Sequence, residues 1–151
     1  MVSILRDRGH TVYDCTVNDG KNQTDVLKKI VAKCNAHKAD LDVSIHFNAG
    51  ANDRKGNGKT AGTEVYLYST KSKAKPYAQR VAKAIAKLGF RLRDDAVKDS
   101  VKISQGLYFL KHTKAPAMLV ECCFVDDKDD VKLYNPERMA KAIVEGITGK
   151  K

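Results

Sequence analysis

Two strand-length apolar runs, each ending on a reactive side chain, constrain this sequence more than any other feature. The run 41–49 reaches His46 and then opens into a polar, Gly-rich loop. The run 117–121 ends in the same way on Glu121. Ligands gather where the carboxyl ends of parallel strands emerge from an open α/β sheet. The sequence therefore predicts that a metal ligand and a base meet at one edge of such a sheet.

Strand and helix patterns alternate along the chain, which indicates an α/β fold. Apolar runs predict strands at 10–14, 41–47, 62–68, 107–110 and 117–121. Helical spacing predicts helices at 1–8, from Asn22 or Thr24 to about 37, at 73–88, from Asp126 or Asp127 to 134, and from Pro136 onward. The charged segment 90–105 is predicted to be irregular. We expect a single domain with a mostly parallel open sheet flanked by helices.

The length and charge of the chain narrow the classes of protein it can belong to. Its 151 residues suffice for one domain with a core, and no apolar run approaches the length of a membrane span. The first residues are too charged for a signal peptide, so we expect synthesis in the cytoplasm. The net charge of +10 fits either a solvated Lys-rich surface or attraction to a polyanion, such as nucleic acid or an anionic bacterial wall.

Several motif classes are missing from the sequence. No two of the four cysteines have Cys-x-x-Cys spacing, which argues against a thiolate zinc knuckle, and we expect mostly buried, reduced thiols. Serine-hydrolase elbows, phosphate-binding loops, dinucleotide-binding loops and deaminase signatures are also absent. These absences leave the two strand-end residues as the strongest chemical signal.

His46 and Glu121 are the residues best placed to carry chemistry. Neutral imidazole is the commonest protein ligand of zinc, although backbone groups can equally hold a strand-end His. Burying a carboxylate is costly unless it is paired or functional, and partial burial raises its pKa toward that of a general base. The alternative for Glu121 is a salt bridge to one of the many lysines. Asn48 faces the same side as His46 and can hold its ring, a metal-bound water or a substrate carbonyl.

Four other ionisable residues give weaker signals. His10 follows a helix end and is expected to cap it, and His37 ends the second predicted helix, where a cation suits the dipole. His112 lies in a charged loop, from which it can also approach the site. Glu64 lies on a predicted strand, where we expect it to be buried and paired. Structural or surface roles are the simpler interpretation for all four.

Two motifs together resemble a known enzyme family. The segments 43–49 and 116–125 are similar to the paired motifs of the zinc-dependent N-acetylmuramoyl-L-alanine amidases of the third amidase family, which includes phage endolysins and cell-wall hydrolases. Between them, 62–68 resembles that family's Gly-x-Glu strand, and 107–111 resembles the strand before the Pro-led one. The run 126–130 resembles the acidic helix start that follows the family's catalytic Glu. The resemblance covers nearly the whole chain in the right order.

The resemblance implies an activity, a cofactor and site residues. It implies that His46 is a zinc ligand and that Glu121 is the catalytic acid/base. Beside these two residues, we expect Asn48 and Lys111 to bind substrate. The family cleaves the amide between the lactyl group of N-acetylmuramic acid and L-alanine of the stem peptide. The implied partner is peptidoglycan, and the implied place of action is the bacterial cell wall. The net charge of +10 adds anionic cell-wall polymers as expected partners.

One departure from the family pattern changes the expectation. The family has a first strand ending in a Gly-His pair and a Glu about a dozen residues later, which supply two zinc ligands and have no counterpart here; a catalytic zinc site usually has about three. We therefore expect residues 1–151 to be a single amidase-like catalytic domain, truncated at its N-terminus. One alternative is a metal-free, inactive wall-binding remnant of such an amidase. A basic α/β nucleic-acid-binding protein is disfavoured, because no aromatic stacking stripe or nucleic-acid motif accompanies the charge.

Overall fold

A four-stranded sheet with helices on both faces forms the core of the protein, in a computed structural model that describes residues 1–104 and 106–150. The strands are β1 (Asp42–Asn48), β2 (Thr63–Leu67), β3 (Leu92–Asp99) and β4 (Ala117–Phe124). The helices within the described ranges are α1 (Val2–Asp7), α2 (Gln23–Asn35), α3 (Lys75–Ala86), α4 (Ser100–Ser104), α5 (Tyr108–His112), α6 (Lys128–Leu133) and α7 (Pro136–Thr148).

The sheet is mixed, with the strand order β1-β4-β2-β3. The β1–β4 and β2–β3 pairs are parallel, whereas β2 runs antiparallel to β4. The expected single α/β domain is confirmed, and the expectation of a mostly parallel sheet holds for two of these three pairings. Because β2 runs in the opposite direction, its first residues lie at the same edge of the sheet as the carboxyl ends of β1 and β4.

Alternate side chains of β4 serve two separate apolar cores. Met118 and Val120 pack with α3 and α7, whereas Ala117 and Leu119 pack with α2 and α5. This division follows from the pleat, which points successive side chains to opposite faces of a sheet. Glu121 continues the second series, so it emerges on the face that α2 and α5 cover.

Local sequence signals set the starts of three helices. The side chain of Asn22 accepts a hydrogen bond from the Asp25 N–H and caps α2. Asp127 caps α6 in the same way, and Asn135 caps α7 just before Pro136. Such side chains satisfy backbone donors that have no partner within the helix. These starts agree with the sequence-based prediction.

The predicted strand at 107–110 is wrong, because this segment begins the short helix α5. Phe109 and Leu110 are adjacent, and both are buried against α2 and β4. A strand would point the two side chains to opposite faces, whereas a helix lets neighbours share one packing surface. A short apolar run does not separate the two possibilities by periodicity alone.

Two other predictions of local structure are wrong. The segment 90–105, predicted to be irregular, contains β3 and α4, with residue 105 outside the described residues. Its charges suit an edge strand, whose outer side faces water. The segment 10–14, predicted to be a strand, is not one, because it forms no ladder with β1 or any other described strand.

Among the described residues, no helix has the length and apolar character needed to cross a membrane.

Candidate active site

Four ionisable side chains form a row across the sheet, one from each strand. The register pairs His46 of β1 with Glu121 of β4, and Glu121 with Glu64 of β2. On β3, Arg93 Nε donates a hydrogen bond to Glu64 Oε2 at 3.0 Å. Neighbouring strands lie about 4.8 Å apart, so the four backbones span roughly 15 Å. The structure thus places His46 opposite Glu121, as the sequence predicts.

The carboxyl group of Glu121 is the least satisfied group in the row. Its Oε2 is buried and has no hydrogen-bond partner among the described residues. Burial raises the pKa of Glu121, and the neighbouring charge of Glu64 raises it further. An elevated carboxyl pKa suits a group that takes a proton in one step and returns it in the next.

Glu64 is the opposite case, because four side chains donate to its buried carboxylate. Oε1 accepts from Asn48 Nδ2 at 2.8 Å and from the Tyr66 hydroxyl at 3.0 Å. Oε2 accepts from Arg93 Nε at 3.0 Å and from Lys98 Nζ at 2.6 Å. Burial pushes the pKa of Glu64 upward, but these hydrogen bonds and positive charges outweigh it and lower the pKa overall.

The two facing carboxyl groups therefore differ in proton affinity. Glu64 is 1% exposed and stays ionised, while Glu121 binds a proton more readily than an ordinary Glu. Neighbouring titratable groups whose pKa values are pushed apart mark an acid/base assignment. This contrast makes Glu121 the candidate proton-transfer residue and Glu64 a fixed negative charge beside it.

His46 lies at the outer end of the row, on the edge strand. Its Nε2 is 2.8 Å from Ser44 Oγ. Partial burial lowers the pKa of His46, which favours the neutral imidazole. Neutral imidazole is the form that binds metals.

The two predicted substrate-binding residues lie in different surroundings. Asn48 donates to Glu64, and its Oδ1 accepts the Ala49 N–H at 3.0 Å, so its amide is oriented by neighbours within the site. Lys111 lies exposed on α5, and no hydrogen bond or ion pair among the described residues joins it to the row. A role of either residue in substrate binding stays a prediction.

Two of the other histidines pack against aromatic rings, and no described hydrogen bond or ion pair joins either of them to the row. His37 stacks on Tyr13 with ring centroids 3.7 Å apart, and His112 packs against Tyr108 at 4.2 Å. These contacts agree with the structural roles predicted for both residues.

The described residues do not by themselves form a zinc centre. No group of three or more His, Cys, Asp or Glu side chains within residues 1–104 and 106–150 is arranged to hold a metal ion. A catalytic zinc usually takes about three protein ligands and leaves one position open. His46 is a suitable single ligand, but the set around it does not fit the metal that the resemblance implies.

A groove of about 910 Å³ runs beside the outer edge of β1. Residues 10–17 and residues 40–46, including His46, are among those that line it. β1 ends the strand order on this side, so its outer backbone groups have no neighbouring strand among the described residues. The groove therefore brings an unpaired sheet edge and the candidate metal ligand together.

Three aspartates hold the loop that follows β1. Asp126 accepts backbone N–H bonds from Gly50, Ala51 and Asn52, and Asp129 accepts them from Asn57 and Gly58. Asp130, fully buried, accepts from Gly62 at 2.9 Å and from Phe124 at 2.8 Å. The acidic run 126–130 thus fixes the loop beside the row. An acidic run and a Gly-rich loop were visible in the sequence, but nothing there paired them.

Sequence reasoning also missed the cations of β3. Arg93 and Lys98 lie in the segment predicted to be irregular, and both pair with Glu64. A strand pattern in this segment would have indicated that the two residues lie in the sheet, but the many charged residues of the segment obscure that pattern.

The sequence and the fold of this chain are similar to those of known proteins. Residues 1–149 match the family model described as N-acetylmuramoyl-L-alanine amidase. The catalytic domain of an endolysin targeting Clostridia difficile superposes with a TM-score of 0.77 at 29% identity, covering 99% of this chain and 78% of that one. The catalytic domain of CwlV, an N-acetylmuramoyl-L-alanine amidase from Bacillus (Paenibacillus) polymyxa, gives a TM-score of 0.68 at 26% identity, covering 97% and 76%.

Sequence relatives extend the same likeness to longer proteins. The endolysin of Bacillus phage SPP1 is 31% identical over 147 residues, which is 95% of this chain and 50% of the relative. The chain spans between 25% and 56% of the length of the curated relatives it matches. The family match from residue 1 to residue 149 is nearly complete, and on that ground the chain belongs to the N-acetylmuramoyl-L-alanine amidase family.

Proposed function

We propose that this chain is part of an enzyme that hydrolyses the amide between N-acetylmuramic acid and L-alanine of the peptidoglycan stem peptide, and that residues 1–151 alone hydrolyse it poorly or not at all. The observation that carries the proposal is the placement of His46 opposite a buried, incompletely hydrogen-bonded Glu121 in a chain that matches the amidase family. The proposed substrate is peptidoglycan, and the proposed place of action is the bacterial cell wall.

Glu121 performs the proton transfers in this proposal. Its carboxylate takes a proton from the attacking water, whose oxygen forms a bond to the amide carbon. The carboxylic acid then gives that proton to the leaving nitrogen as the C–N bond breaks, so the stem peptide leaves with a free amine. Glu64 stays ionised throughout, because its four donors hold the negative charge.

We propose zinc dependence in which His46 supplies one ligand. Zinc supplies Lewis-acid polarisation of a carbonyl and a lower pKa of bound water where it is held. We propose that the remaining ligands come from outside the described set, which does not by itself fit the metal. The groove beside β1 supports this idea, because an extended segment lying there would pair with the strand edge next to His46.

The 151-residue chain is expected to bind zinc weakly, and a version extended upstream with the family's first strand and its two ligands is expected to bind it tightly. In the extended version, His46→Ala should lose most of the metal, while His112→Ala should keep it. Metal content measured by mass spectrometry after dialysis checks this. Tight, stoichiometric zinc in the short chain would show that other residues complete the site, with His10 and His112 the first to examine.

Hydrolysis of labelled walls tests the function itself. Both the short and the extended versions are incubated with dye-labelled peptidoglycan, and the products are identified by mass spectrometry. Amidase activity releases stem peptides with a free N-terminal alanine and leaves the glycan strands intact. Fragments cut within the glycan or within the peptide would contradict the proposal.

A second candidate function is wall binding without cleavage. The observation that favours it is that the described residues supply too few ligands to hold a zinc ion. The net charge of +10 suits anionic wall polymers, and attraction of this kind weakens with salt. Retention of the short chain on walls with no product released, at all zinc concentrations, would support this second function.

A further inference from the structure

We propose that Arg93 recognises a free carboxylate on the peptide side of the scissile amide. The inference rests on the proposed function and adds a feature of the substrate to it. The ligand class is an acidic stem peptide whose second residue carries an ionised α-carboxyl group. Arg93 acts here as a specificity-determining residue, and Glu121 keeps the proton transfers.

The position of Arg93 fits a group two residues into the peptide. Arg93 pairs with Glu64, and Glu64 lies opposite Glu121, so Arg93 is two strand spacings, about 10 Å, from the candidate acid/base. An extended peptide advances about 3.3–3.6 Å per residue. In a peptide that starts at Glu121 and runs across the sheet toward β3, the α-carboxyl group of the second residue would therefore come within reach of the Arg93 side chain.

The guanidinium group is held in place and still accessible. Nε is bound to Glu64, and the group lies over the Phe124 ring with its carbon 4.8 Å from the ring centroid. Nη1 reaches the Ala61 carbonyl at 3.5 Å. The side chain nevertheless remains 35% exposed. Three contacts thus fix the plane of the guanidinium group while part of the side chain faces solvent, which suits bidentate binding of a carboxylate.

The two cations beside Glu64 outnumber its single negative charge. Arg93 and Lys98 both donate to the same oxygen of Glu64, so two cations share one carboxylate. Among the described contacts, neither cation pairs with Glu121. Two cations beside one carboxylate make this group net positive, so it attracts a further carboxylate.

Lys98 is less suited to this role than Arg93. Its Nζ lies 2.6 Å from Glu64 Oε2, and its side chain is 21% exposed. An ammonium group is a compact point charge, whereas a guanidinium group presents several N–H donors in a fixed plane. Lys98 therefore holds Glu64, and Arg93 has donors left for a ligand.

Binding of two matched compounds tests the proposal without requiring catalysis. Both are muramoyl dipeptides with the γ-carboxyl group blocked as a methylamide; one has a free α-carboxylate on its second residue, and the other has an α-carboxamide. Affinities are measured by NMR titration of the full chain. We expect the parent to bind the carboxylate compound roughly tenfold more tightly, and Arg93→Gln to remove this preference.

Two further variants separate specificity from folding. Lys83→Gln removes a cation from α3, on the opposite face of the sheet, and should keep the preference. Arg93→Lys keeps a charge beside Glu64 but loses the fork, so we expect a preference of only a few-fold. Thermal melts followed by circular dichroism confirm that each variant is folded.

Each outcome of the titrations decides a definite point. A preference that survives in Arg93→Gln, or an Arg93→Gln variant that weakens both compounds equally, overturns the carboxylate site. Equal binding of both compounds to the parent overturns that site but leaves the proposed amidase function standing. Binding of neither compound to the parent overturns both the site and the assignment of wall peptide as the substrate of this chain.

Discussion

Replacing Glu121 with Gln is expected to lower wall hydrolysis by about 10²–10⁴-fold in the version of the protein that cleaves walls, the range typical of a lost proton-transfer group. The substitution keeps size and a carbonyl acceptor but removes the group that takes and returns the proton. Zinc content should not change, since His46 is untouched. Dye release from labelled walls measures the loss, and Glu137→Gln, an exposed change on α7, is the matched control.

The same substitution is expected to stabilise the fold slightly. Burial and the charge of Glu64 raise the pKa of Glu121, so ionisation of Glu121 costs native-state free energy. The free energy of unfolding should therefore fall as the pH rises from the ordinary pKa of a Glu side chain to the raised pKa of Glu121. Glu121→Gln should remove this pH dependence. We therefore expect a small gain in Tm at neutral pH, measured by thermal melts of the parent and the variant at several pH values.

The pH profile of the parent gives an independent check on Glu121. The carboxylate has to be ionised to accept the proton from water. Since its pKa is raised, activity should fall on the acid side at a higher pH than an ordinary Glu would give. Activity of Glu121→Gln within a few-fold of the parent would make Glu121 structural. The acid/base role would then pass to another carboxylate, with Glu64 the nearest in the row.

Asp130→Ala is expected to cost about 2–6 kcal/mol of unfolding free energy, enough to unfold much of the protein. One carboxylate oxygen of Asp130 accepts both the Gly62 and the Phe124 N–H, at the start of β2 and the end of β4. Ala leaves both donors buried without a partner, at about 1–3 kcal/mol each. Urea unfolding measures the loss.

Asp130→Asn is the matched control for this prediction. Asn keeps an oxygen able to accept both N–H bonds and removes a charge whose burial raises the pKa of Asp130. Its other atom replaces Oδ1, which has no hydrogen-bond partner among the described residues. We expect Asn to stay within about 1 kcal/mol of the parent. Equal stabilities for the Ala and Asn variants would show that the two hydrogen bonds do not hold the strands.

The sequence predicted the central strands and the two principal site residues because those signals are local. The apolar runs before His46 and Glu121 are strand-length, and the caps at Asn22 and Asp127 lie beside the helices they start. The prediction that these two strands end together followed from a general rule about parallel sheets. The zinc and substrate-binding roles of His46, Asn48 and Lys111 remain predictions that the described geometry leaves open.

Packing against distant residues decided what the sequence left ambiguous. The apolar run at α5 is a helix because α2 and β4 offer one surface to Phe109 and Leu110 together. The charged segment of β3 is a strand because it pairs with the outer edge of β2, where Arg93 binds Glu64. Neither choice is encoded in a window of a few residues.

The sequence by itself determined that this chain is an α/β protein with the paired motifs of an amidase, because periodicity, caps and strand-end residues are written in short segments. Only the tertiary structure decided how the carboxyl groups differ. Glu64 receives donors from Asn48, Arg93 and Lys98, which are 16 to 34 positions away along the chain, while Glu121 receives none on its buried oxygen. Proton affinity depends on such surroundings, and only the folding of four strands into one sheet creates them.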